Sequence, residues 1–101
     1  MPKLYEYFGL VIMFYSNDHE PIHVHGKSQG RESKAEIIFQ KGKLSKIRVL
    51  TVRGKRPLNS TEMQNFKNLV QSKGLEIRQK WIEFFVDNQP IACEKITRKL
   101  K

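Results

Sequence analysis

The hydrophobic period of this chain changes at a basic loop, and that change limits the folds open to it. Before the basic loop at 54–59, apolar residues come in short runs or alternate singly, as in strands; beyond it they recur every three to four positions, as in amphipathic helices. Strands followed by helices imply an α+β domain: a small antiparallel sheet of about four strands, with two C-terminal helices packed on one face. The 101 residues show no repeat, low-complexity tract or linker, so residues 1–101 read as a single domain.

The strands follow from local pattern. Residues 8–15 form a nearly unbroken apolar run, expected as one strand buried on both faces. Residues 16–21 turn the chain, with Asn17, Asp18 and Pro21 as turn formers. Residues 22–25 alternate, placing Ile22 and Val24 on one face and His23 and His25 on the other. Gly26 to Gly30 reads as a hairpin connection, and strands are expected at 33–39 and 44–53. In the first of these, Ala35, Ile37 and Phe39 oppose Lys34, Glu36 and Ile38.

Helix signals begin at Thr61, whose spacing to Gln64 matches a capping box, with Ser60 an equal candidate for the cap. Met63, Phe66, Leu69 and Val70 make an apolar stripe, and Gly74 suits a helix end near Ser72. A second helix is expected over 75–88, carrying Ile77, Trp81, Phe84 and Phe85, and a short final strand within 91–100. Cys93 excludes an internal disulfide and reads as a small packed residue.

Charge is uneven. The net charge is +9, and between positions 41 and 61 seven basic residues meet no acidic one. Lys95, Arg98, Lys99 and Lys101 form a second basic cluster. Lys43, Lys46, Arg48, Arg53, Lys55 and Arg56 are therefore the candidate binding residues, for RNA or for a small acidic partner protein. A merely solvated surface is an equal reading. No apolar run approaches the roughly 20 residues of a membrane-spanning helix, and no signal peptide is evident, so a cytoplasmic location without membrane contact is expected. A homo-oligomer is open.

All three histidines fall between positions 19 and 25. His23 and His25 share a strand face, roughly 7 Å apart by strand rise, and can converge on one ion with Asp18 as a third ligand. The sequence demands no cofactor, but a divalent metal such as zinc suits this set, and three protein ligands leave a coordination position open. His19, His23 and His25 are equally candidates for acid–base catalysis, metal-free or metal-assisted, of the kind a ribonuclease or phosphodiesterase performs, with Arg48 or Arg53 at the phosphoryl group. The plainer alternative is that they hydrogen-bond carbonyls and organise the turn.

The segment from Tyr15 to His25, with Asn17, Asp18, His19, Pro21, His23 and His25 in fixed spacing, resembles the signature of the bacterial DUF4160 family. The stretch 33–37, the Trp81 helix and the segment from Pro90 onward are similar to the rest of that family. Ile22 stands where the family usually has a second proline, and 53–59 is longer than the usual connection. The resemblance implies one half of a toxin–antitoxin-like pair and supplies no catalytic residues. The expected function is thus binding of a partner protein or RNA, with a histidine-dependent nuclease as the alternative.

Overall fold

The computed structural model describes residues 2–19 and 21–100. The apolar run at 8–15 does not form one strand. Phe8 and Gly9 take positive φ values of 47° and 85°, and Tyr7 pairs with Leu10 across them. A two-residue turn with both φ values positive matches the twist of the strands it joins. The run therefore opens with the turn of a hairpin that joins β1 (Lys3–Tyr7) to β2 (Leu10–Met13), and only β2 is drawn from it. The signal for β1 was the alternation Tyr5-Glu6-Tyr7, whose tyrosines are buried and whose glutamate is exposed. Turns of the same kind at Gln29-Gly30 and Lys41-Gly42 join β3 (His23–Ser28), β4 (Arg31–Gln40) and β5 (Lys43–Thr51).

Helix α1 (Ser60–Phe85) follows, then β6 (Glu94–Ile96). The sheet has six strands in the order β5-β4-β3-β2-β1-β6. It is mixed, not purely antiparallel, because β6 runs parallel to β1. The expected final strand is real but shorter than 91–100, and Cys93, just before it, is exposed instead of packed.

Two expected helices are one. Gly74 lies inside α1, where an added Cβ would stand 3.3 Å from Leu44 Cδ2. Its small size lets the helix approach β5 closely; it does not end the helix. The cap is Asn59, which accepts from the Glu62 amide at 2.8 Å while Glu62 accepts from the Asn59 amide at 2.9 Å, so the box sits two residues before Thr61 and Gln64. The continuous helix presents Phe66, Leu69, Val70, Ile77 and Trp81 to the core. No helix among the described residues is long and apolar enough to cross a membrane.

Strand register assigns the two faces of the sheet. An added Cβ on Gly26 would meet the Phe66 ring at 2.8 Å, so Val24, Gly26 and Ser28 face the helix. Their cross-strand partners Ile12, Ala35 and Ser33 are buried with them, and Tyr5, Tyr7, Leu10 and Ile37 complete that face. His23, His25 and Lys27 therefore project from the opposite face, as the alternation at 22–25 implied. β3 continues through Gly26 to Ser28, so residues 26–28 belong to the strand and only Gln29-Gly30 turns.

A bidentate ion pair locks the helix start to the sheet: Arg31 donates from Nε at 2.8 Å and Nη2 at 2.9 Å to the Glu62 carboxylate. These hydrogen bonds hold the Glu62 pKa down at about 2. A depressed carboxylate contributes stability that is complete above its unfolded value, near 4.5, and is lost as pH falls through the folded one. The urea midpoint is accordingly expected to fall between those two pH values, and to fall less steeply in Glu62→Gln. Parallel pH profiles for the two proteins would remove this pair from the acid sensitivity.

Candidate metal centre

The candidate site is built where β2 ends and β3 begins. After β2 the chain turns at once: the Asp18 amide donates to the Tyr15 carbonyl at 3.0 Å, and the Tyr15 amide donates to Asp18 Oδ2 at 2.9 Å. This double tie folds the Asp18 carboxylate back over the start of β3. There Asp18 Oδ1 stands 3.3 Å from His23 Nε2, and Oδ2 stands 3.6 Å from His25 Nε2. All three side chains are nearly buried.

The hydrogen bonds on the far side of each ring fix its proton. His23 Nδ1 is 2.7 Å from the Pro21 carbonyl, which can only accept, so Nδ1 carries the hydrogen. His25 Nδ1 is 3.0 Å from Glu32 Oε2, an oxygen that also accepts from the Tyr15 hydroxyl at 2.9 Å. Nδ1 of His25 is therefore the donor as well. Burial lowers the His25 pKa, favouring the neutral ring. Burial, with the bond to Glu32, pushes the Tyr15 phenol up to about 12, so it stays a donor.

With a hydrogen held on each Nδ1, both rings turn Nε2 towards the Asp18 carboxylate, and burial favours a lone pair on that of His25. Among the described residues, His25 Nε2 is buried and has no hydrogen-bond partner, and neither does Glu32 Oε1. Two imidazole nitrogens and a carboxylate thus converge on one small volume. Ring contacts hold the arrangement: Tyr15 meets His25 at 4.5 Å, His23 meets His25 at 5.4 Å, and Trp81 stands 5.4 Å from His23.

The spacing fits an ion. Ligands about 2.1 Å from a tetrahedral zinc lie about 3.4 Å from one another, close to the 3.3 and 3.6 Å separations seen here. The donor atoms of Asp18, His23 and His25 all fall within 4.8 Å. His19, the third histidine, is exposed and is not in this group.

The basic candidates lie elsewhere. Lys43, Lys46 and Arg48 are exposed on β5, an edge of the sheet; Arg53, Lys55 and Arg56 are exposed in the connection to α1. Arg48 shares the histidine face, but Glu36 of β4 stands between it and His23, with Arg48 Nε 3.9 Å from the Glu36 carboxylate. Lys101 of the second basic cluster lies outside the described residues. Sequence reasoning missed Glu32 and the role of Tyr15. Glu32 shares the parity of Lys34 and Glu36, but only the β3–β4 register brings it to His25.

Residues 9–82 match a family model described as a domain of unknown function, DUF4160. The chain belongs to the DUF4160 family. Tyr15, Asp18, His23, His25 and Glu32 all lie inside the stretch matched to DUF4160, whereas β1 and β6 lie outside it. No curated protein and no solved structure matches the chain.

Proposed function

We infer that this DUF4160 domain binds a divalent transition metal through Asp18, His23 Nε2 and His25 Nε2. The observation that carries the reading is the convergence of two imidazole Nε2 atoms on a carboxylate, with a proton of each ring held on its other nitrogen. Without a cation these donors repel one another. A proton on one ring would pair it with Asp18 but leave the buried Nε2 of the other unmatched, and protonating both would place two cations in a buried site. One divalent ion satisfies all three donors.

Two nitrogens and one oxygen favour zinc and its neighbours over calcium or magnesium, which prefer oxygen cages. The supporting contacts are those that metal-bound histidines usually make: Glu32 behind His25 and the Pro21 carbonyl behind His23. With three protein ligands, a further coordination position is left for water or another ligand. The ion would also fasten the turn after Tyr15 to β3.

Elemental analysis of untagged protein is expected to find about one transition-metal ion per chain. Zinc added to metal-stripped protein should raise its melting temperature, since an ion at 100 times its dissociation constant stabilises the fold by about 2.7 kcal/mol. Asp18→Asn should lose most of that gain. Protein that purifies without metal and melts identically with zinc, cobalt, nickel and manganese would end the proposal.

A further inference from the structure

The sheet face opposite the helix carries a second feature beside the metal centre. Val11 and Met13 floor a cavity of about 270 Å³ whose walls are Lys3 and Lys27. The register builds it: Lys3 pairs directly with Met13, and Lys27 with Val11. Two ammonium groups thus stand on opposite sides of an apolar patch. The Lys27 ammonium is steadied 5.8 Å from the centre of the Tyr15 ring.

The same face is basic on both sides of the cavity. Lys95 of β6 lies beyond β1, and Lys34, Lys46 and Arg48 lie on β4 and β5, all at register positions that share the face of Lys27. Their acidic neighbours are fewer. Glu32 and Asp18 are committed to the histidines and Tyr15, which among the described residues leaves Glu6 and Glu36 to oppose six cations. Strands about 4.8 Å apart spread this track over roughly 24 Å.

We propose that the cavity seats one nucleotide of a single-stranded nucleic acid whose backbone crosses this basic face. Two observations select that occupant. The cavity lies just below the roughly 300–1,000 Å³ of sites that enclose a whole small ligand, so it fits one unit of a longer chain. Its floor is apolar while its rim is cationic, which suits a base above Val11 and Met13 with phosphates at Lys3 and Lys27. A duplex, whose bases are paired and stacked inward, cannot offer a base to that floor. The sheet width corresponds to about four nucleotides, the lower end of known single-strand site sizes. The argument uses none of the three side chains that would hold the metal.

Fluorescence anisotropy with a labelled single strand of about eight nucleotides tests it. Binding should weaken steeply with salt. Lys27→Glu should weaken it at least tenfold and reduce the salt slope by about one. Lys3→Ala, a change at an exposed position, should weaken it less, with an unchanged thermal melt. RNA and DNA single strands should both bind, and a duplex of the same sequence should bind at least tenfold more weakly. Equal affinity for strand and duplex, equal competition by polyglutamate, or unchanged affinity in both lysine variants would overturn the proposal. Asp18→Asn separates this inference from the metal reading. Strand affinity retained in that variant supports the inference whether or not zinc binds.

Discussion

Gly26→Ala is expected to destabilise the fold by about 1–3 kcal/mol, the usual cost of forcing a methyl group into a filled core. Alanine in a strand is ordinarily the better residue, by roughly 0.5–1 kcal/mol, so a loss here would be set by tertiary packing. The added Cβ would stand 2.8 Å from Cδ1 and 2.9 Å from Cε1 of Phe66, atoms on the flank of a ring that is fully buried. Leu69 and Val70 are buried beside it, so the ring has little room to yield. For a domain of this size each kcal/mol lowers the melting temperature by about 4–8 °C. Phe66→Leu should cost stability alone yet cost less in the Gly26→Ala background, the signature of a direct contact in a double-mutant cycle. A Gly26→Ala protein that melts at or above the wild-type temperature would show that the ring yields freely.

Glu32→Gln is expected to reduce zinc affinity by about 10- to 100-fold, the range seen when the group behind a metal-bound histidine is altered. Glu32 is 1 % exposed, and its Oε2 accepts from both His25 Nδ1 and the Tyr15 hydroxyl. An amide oxygen in that position still accepts, but it no longer offers the negative charge that makes the imidazole a stronger ligand. The other orientation of the amide sets two donors against each other. Tyr15→Phe should have a smaller effect, because it removes one donor and leaves the carboxylate in place. Competition against a chromophoric zinc chelator would measure both variants, and equal affinity in Glu32→Gln and wild type would detach Glu32 from the metal centre.

What the sequence disclosed and what it withheld divide along the range of the interactions involved. The change of period at the loop before α1 was enough for the α+β class. Alternation at 22–25 correctly separated His23 and His25 from Ile22 and Val24, because it depends only on the pleat of one strand. Asp18, His23 and His25 could be named together since they lie within eight positions. The hairpin at Phe8-Gly9 was hidden because a bulky aromatic residue rarely takes positive φ. Gly74 misled for the opposite reason: glycine is a common helix terminator, and only the approach of Leu44 explains one in mid-helix. Asn59 with Glu62 and Thr61 with Gln64 both fit the capping pattern, and the Arg31 side chain engages only Glu62. Glu32 required a register that no local pattern encodes.

The pairing of β1 with β6 has a consequence for the order in which the molecule assembles. Strands β1 to β5 are joined by local connections, three of them two-residue turns, and can pair soon after they exist. Tyr5 to Tyr7 must instead wait for Glu94 to Ile96, which lie nearly the whole chain away. Closing so large a loop carries an entropic cost that only native docking of the intervening helix removes. During synthesis the outer edge of β1 would therefore stay open until β6 has been made, and in the finished protein β6 should be the first strand to exchange its amide hydrogens.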